Sequence, residues 1–228
     1  MATAHRPEIT PHLVWDWNGT LLHDIHVVLA ATNAAFAELG IAEITLERYR
    51  ELYCVPITEF YRRLLGRLPG EDEWEVLDAT FHRHYFARAD SAGLTDGAAK
   101  LLADWVGAGR TQSVCSLAEH DRLAPWLTRL GVADHFIRVD GNRGRGPVVG
   151  KAEQMARHLA AMTGVTPERV VVIGDATDDA LAAAHAGAKA VLYTGGSHSR
   201  RSLARAGVPV VDSLAEAVAL ASEVVGRG

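Results

Sequence analysis

The chain predicts an α/β protein with a doubly wound parallel sheet and an inserted bundle of helices, and three observations carry that expectation. Short β-branched runs ending in polar residues or glycine recur at Leu13–Trp15, Gln112–Cys115, Phe136–Val139, Val170–Ile173, Ala190–Tyr193 and Pro209–Val211. Segments with helical spacing separate most of them, and alternating strand and helix reads as a parallel sheet. The run before Asp175, "VVVIG", is apolar without alternation, as a strand buried on both faces should be.

The first strand ends at Asp16. The interval that follows, about 23–93, holds no comparable strand run. Ile25, Val28, Leu29, Phe36 and Leu39 recur at helical spacing, and Gly40 follows as a stop. Ile57, Phe60, Tyr61, Leu64, Leu65 and Leu68 form a second stripe, and Trp74, Leu77, Phe81 and Tyr85 a third. These predict a helical cap over 23–93, inserted between the first and second strands of a core formed by 1–22 and 94–228.

Bulk properties narrow the function. The chain has 228 residues, 48% of them hydrophobic, which is ample for a core. With a net charge of −5, nothing in the composition marks a nucleic-acid binder, which would show a strongly basic face. No apolar run has the length of a membrane span, and the first ten residues do not resemble a signal peptide. Two cysteines, Cys54 and Cys115, sit beside apolar residues, and reduced thiols in a cytoplasmic protein are expected. Lysine is scarce, with only Lys100, Lys151 and Lys189, so each one merits inspection.

Four positions carry chemistry. Asp16 ends a strand, where active sites of open parallel sheets gather, and a carboxylate there can attack a phosphoryl group. It is followed by "NGT", whose glycine permits a tight turn close to a ligand. Ser116 ends the second strand, where its hydroxyl can hold a phosphoryl oxygen or cap the next helix. Lys151 opens the amphipathic "KAEQMARHLAAM" and can neutralise an anion, or serve as a surface lysine. In "VVVIGDATDDALAAAHAG", Asp175, Asp178 and Asp179 crowd three carboxylates that repel one another unless a cation or hydrogen bonds offset them. Oxygen ligands of that kind suit Mg²⁺, although acidic residues also favour helix N-termini.

Together "DWNGT", Ser116, Lys151 and "GDATDD", in this order around a helical insertion, resemble the haloacid dehalogenase-like hydrolases. The resemblance is to their phosphoglycolate-phosphatase-like branch with a Rossmann-like core, and "YTGGSHSRRSLARAGVPVVDSLAEA" is similar to that branch's C-terminal region. It implies a phosphatase of a small phosphorylated substrate, with Asp16 as nucleophile and magnesium ligand. Ser116 and Lys151 would hold the phosphoryl group, with Gly19 and Thr20 shaping the loop. Asp175 and Asp179 would support the ion, and residue 18 would ligate it through its main-chain carbonyl.

Position 18 departs from the pattern. The family has a carboxylic acid there, which protonates the leaving group and later helps activate water. Asn18 can donate a hydrogen bond but cannot shuttle a proton, a loss of roughly 10²- to 10⁴-fold. Three readings follow: a phosphatase for good leaving groups or with a recruited acid such as His23, a phosphotransferase, or a binding and regulatory protein. Phosphonate-cleaving relatives need a cap lysine, and 23–93 contains none. Metal-free dehalogenases would leave the carboxylates at 175–179 unexplained. Asn18-Gly19 is also sterically open to deamidation.

Other signals carry less. His82 and His84 lie two apart on a helix and read as solvated. "GNRGRGPVVGK" lacks the spacing of a phosphate loop and reads as a connector, although Arg143 and Arg145 can meet an anion. Trp17 lines the site or packs under the cap, and Thr194–Arg200 follows a strand end at the site's edge.

Overall fold

The computed structural model describes residues 10–144 and 150–226. Six parallel strands form the sheet: β1 (His12–Trp15), β4 (Gln112–Glu119), β5 (Val139–Asn142), β6 (Val170–Gly174), β7 (Lys189–Tyr193) and β8 (Val210–Val211). Their order is β5-β4-β1-β6-β7-β8. β1 therefore lies centrally between β4 and β6, with Trp15 level with both Val114 and Ile173. A parallel sheet needs crossovers, and helices supply them on both faces. α5 (Ala98–Gly107), α6 (His120–Arg129) and α10 (Leu214–Gly226) cover one face; α7 (Ala152–Ala160) and α8 (Thr177–His185) cover the other.

Alternate residues of β1 and β6 feed the two faces. Leu13, Trp15, Val171 and Ile173 join Leu102, Leu123, Ala217 and Ala221. Val14, Val170 and Val172 join Met155, Leu159, Ala182 and Ala183. All of these strand residues are 0% exposed, so the absence of polar alternation in "VVVIG" is a direct product of two-sided burial.

Between β1 and α5 lies the helical insertion: α1 (Ile25–Glu38), α2 (Leu46–Leu52), α3 (Ile57–Leu65) and α4 (Glu71–Arg88). It is entered and left through a two-stranded antiparallel ribbon, β2 (Leu22–His23) against β3 (Gly93–Leu94). Phe36, Tyr49, Phe60, Tyr61 and Leu77 build a core of its own. The three stripes seen in the sequence are α1, α3 and α4, while α2 and the ribbon are additional. A short α9 (Arg200–Ala204) follows β7.

Two boundaries differ from expectation. The fifth strand runs Val139–Asn142, not Phe136–Val139. Ile137 is 57% exposed, so its apolar character did not mark a buried strand at this sheet edge. β4 continues past Ser116 to Glu119 through a register shift, and α6 begins only at His120. Ser116 therefore caps no helix.

Candidate active site

The C-terminal edge of the sheet gathers Asp16, just past β1, and Asp175, just past β6. Asp179 reaches the same point from the first turn of α8, where its Oδ2 also accepts the Ala176 amide at 3.0 Å. Carboxylate oxygens of Asp16, Asp175 and Asp179 lie within 4.8 Å of one another, and all three residues are buried. Asp178 faces elsewhere, accepting the Lys151 amide at 2.9 Å. Of the three carboxylates in "GDATDD", two thus join Asp16 and the third fixes the start of α7.

Lys151 is 3% exposed, so it is no surface lysine. Its Nζ donates to Asp16 Oδ1 at 2.6 Å and to Asp179 Oδ1. Burial works against its charge, but Asp16 and Asp179 outweigh that and hold the ammonium well above its ordinary range. Burial raises Asp16 to about 6; Lys151 opposes this rise and Asp179 adds to it. Asp175 is also raised well above its ordinary range, by burial first and then by the charges of Asp16 and Asp179. Three clustered acids against one ammonium form an electron-rich pocket short of positive charge. A hard divalent cation with oxygen ligands fits this donor set.

Gly19 makes the cluster possible. Its φ of 73° lies in the left-handed region, and a Cβ there would stand 2.6 Å from Asp175 Oδ2. Thr20 Oγ1 donates to Asp175 Oδ1 at 3.2 Å, and the Thr20 carbonyl accepts from Thr95 Oγ1 at 2.6 Å. Ser116 is 2% exposed at the sheet edge beside β1, and its carbonyl accepts from Gln154 Nε2 at 2.7 Å. The loop after β7 closes the opposite wall, where the Ser197 amide donates to Asp175 Oδ2 at 2.5 Å. Any side chain at Gly196 would overlap that carboxylate.

The helical insertion packs onto this wall through α2. Arg50 donates from Nε to the Gly196 carbonyl at 2.8 Å and from Nη2 to the Gly195 carbonyl at 2.9 Å. The Ser199 amide donates to the Arg50 carbonyl at 2.9 Å, and the Tyr53 ring meets His198 edge-on at 5.0 Å. Arg50, Tyr53 and the 194–199 wall were not resolved as partners in the sequence, because their pairing joins segments about 145 residues apart.

Asn18 is tied elsewhere. Its Nδ2 donates to Asp24 Oδ2 at 2.7 Å and to the Tyr85 hydroxyl at 2.8 Å. Asp24, 1% exposed at the start of α1, also accepts from the Gly19 amide at 2.9 Å and from the Tyr85 hydroxyl at 2.7 Å. Burial raises its carboxyl; hydrogen bonds from Tyr85 and Asn18 oppose that rise. Asp24 and Tyr85 were missed as site residues. The available signal was a charged residue at the first apolar turn of a helix.

His23 is exposed on β2, outside this hydrogen-bonded group. It lines a cavity of about 720 Å³ with His26, Asn33, Arg50, His84 and Arg88. His84 is half-buried there, while His82 is exposed. Trp17 is fully buried in the large core cluster, beneath the helices and away from solvent. Arg143 is exposed, and Arg145 lies outside the described residues. A separate chain links the buried His12, Ser113 and His158 to the half-buried Asp140, with His12 to Ser113, Ser113 to His158 and His158 to Asp140 each within 2.8 Å. It has the geometry of a serine–histidine–aspartate triad. Ser113, however, is 0% exposed inside β4, so the chain is structural.

The site thus joins a Rossmann-like α/β core to carboxylates at the ends of two adjacent strands, crossed by one buried lysine. The chain belongs to the haloacid dehalogenase-like hydrolases, whose family model matches residues 10–187, and to their phosphoglycolate-phosphatase-like branch; it is a phosphatase. It is 26% identical over 196 residues to a phosphoglycolate phosphatase of Synechococcus elongatus, covering 85% of this chain and 88% of that one. A 5'-nucleotidase of Pseudomonas aeruginosa is 28% identical over 183 residues, 78% and 79% of the two chains. The crystal structure of a predicted phosphatase from Clostridium acetobutylicum shares the fold with a TM-score of 0.79 at 17% identity, covering 96% and 99% of the two chains.

Proposed function

We propose that the protein is a magnesium-dependent phosphohydrolase that acts on a small phosphorylated metabolite through an aspartyl-phosphate on Asp16. The observation that carries this reading is the buried triangle of Asp16, Asp175 and Asp179 with Lys151 across it. The three carboxylates, with the main-chain carbonyl of residue 18, would hold Mg²⁺. Bound there, the ion supplies positive charge to the phosphoryl oxygens.

A carboxylate oxygen of Asp16 attacks phosphorus, and the bond from phosphorus to the ester oxygen breaks. The leaving group departs with that electron pair. Lys151, held against Asp16, balances charge on the phosphoryl group, and the buried Ser116 hydroxyl steadies one of its oxygens. Water then attacks the aspartyl-phosphate, its proton passes to solvent, and the Asp16 carboxylate is restored with release of inorganic phosphate. The helices of 23–93 act as a cap that excludes bulk water. Asn18 supplies no proton at the first step, so substrates whose leaving groups depart readily as anions are favoured.

The test is turnover on fresh protein with and without magnesium, comparing an aryl with an alkyl phosphate. Magnesium-dependent turnover that prefers the aryl ester, and that Asp16→Asn abolishes, is expected. Retained activity in Asp16→Asn would place the nucleophile elsewhere. Tight phosphoester binding without turnover would favour a binding protein.

A further inference from the structure

We propose that Asp24 and Tyr85 are positioning residues that lock the Asn18 side chain, leaving position 18 a fixed hydrogen-bond acceptor with no donor for a departing group. Its chemical consequence rests on the phosphatase reading above; the lock itself does not.

Counting hydrogens establishes the lock. The Asn18 amide has two, the Tyr85 hydroxyl has one, and the Asp24 carboxylate only accepts. Asn18 Nδ2 donates both to Asp24 Oδ2 and to the Tyr85 oxygen. The Tyr85 hydrogen goes to Asp24 Oδ2, and Asp24 Oδ1 takes the Gly19 amide. Three groups close a ring of hydrogen bonds around the Asn18 amide nitrogen. Turning the amide over would set its carbonyl against a carboxylate and against a phenol oxygen whose hydrogen is already committed, so the neighbours determine its orientation. Asn18 Oδ1 is then the one polar atom of that side chain without a protein partner among the described residues.

Two consequences follow for this site. Asn18 can accept a hydrogen bond from an attacking water, while its Nδ2 is engaged by Asp24 and Tyr85 rather than by the oxygen of a leaving group. Positions 18 and 24 are also matched: an aspartate at 18 would face the Asp24 carboxylate with nothing to donate. The reciprocal exchange, Asn18→Asp with Asp24→Asn, rebuilds the same ring with the roles reversed. Tyr85 comes from α4, 67 residues away, so the lock forms only when the helical insertion is seated.

The experiment measures Tm with and without magnesium, and turnover of an aryl and an alkyl phosphate. The proteins are the native chain, Asn18→Asp, Asn18→Asp with Asp24→Asn, and Tyr85→Phe, with intact mass confirming position 18. Asn18→Asp is expected to lower Tm and leave alkyl turnover unimproved. The double variant should recover Tm and raise alkyl turnover above both the native and single variants. Tyr85→Phe should lower kcat with KM unchanged. A single Asn18→Asp variant as stable as the native chain, or a double variant no more stable than the single variant, overturns the lock. Recovered Tm without an alkyl gain supports the lock and removes the acid role of position 18 from the phosphatase reading.

Discussion

At the residue scale, Lys151 decides whether the acidic cluster can be buried at all. Two of the three carboxylates, Asp16 and Asp179, accept hydrogen bonds from one ammonium that is 3% exposed. Removing one partner of a buried ion group leaves uncompensated charge and costs about 3–5 kcal/mol. Lys151→Met should therefore be destabilised by about that amount in urea unfolding without magnesium. Added magnesium should narrow the deficit, since a cation at the carboxylates replaces part of the missing charge. An unchanged unfolding midpoint would show that the cluster is neutralised in some other way.

The same scale shows what a single residue can disclose. Asp16, Lys151 and the acidic cluster of Asp175, Asp178 and Asp179 were legible along the chain, because each stands near a strand end or helix start that the apolar pattern marks; within the cluster, the family resemblance singled out Asp175 and Asp179. Asp24 was not, because a lone acid at a helix start has an ordinary capping role. Only its 1% exposure and its contacts with Asn18 and Tyr85 separate it from that role.

At the scale of elements, α2 illustrates how a short segment escapes periodicity. "LERYREL" offers seven residues, of which only Tyr49 is buried, so no stripe develops. Its function is carried by Arg50, which bridges the Gly195 and Gly196 carbonyls from the insertion to the core. Hydrogen bonds from a charged donor are each worth about 1.5–3 kcal/mol. Arg50→Ala should raise amide hydrogen exchange in 46–52 and 194–199 while leaving β1 and β6 protected. Uniform protection across both segments would mean that the Tyr53–His198 contact suffices. The shifted β5 has a different cause. At a sheet edge burial is partial, and "VDGN" pairs with β4 without an apolar signature.

For the whole molecule, pH separates the two kinds of buried ionisable group. Burial, with the neighbouring His158, lowers His12 to about 4 from its ordinary 6.5. Between those values the unfolded chain binds the extra proton and the fold does not. His12 therefore contributes stability that is fully present above about pH 6.5 and lost as pH falls toward 4, on the order of 3 kcal/mol. Asp16, raised by burial to about 6, acts in the opposite sense, since the fold binds its proton more tightly than the unfolded chain. Comparing unfolding free energies of the native chain and His12→Gln isolates the first effect. The native advantage should shrink on acidification from pH 7 to 4; a constant difference would mean that His12 carries the same charge in both states.

What the sequence determined by itself was the class of the sheet, the helical insertion after its first strand, and the candidate positions at its carboxyl edge. Two-sided burial writes a continuous apolar run, and a parallel strand must end where chemistry can gather. Local composition is enough to reveal both. What only the tertiary structure decided was the company those positions keep. Hydrogen bonds are directional and act over about 3 Å. Whether the Asn18 amide faces a substrate or is spent on Asp24 and Tyr85 depends on a helix 67 residues away. No spacing along the chain encodes that distance.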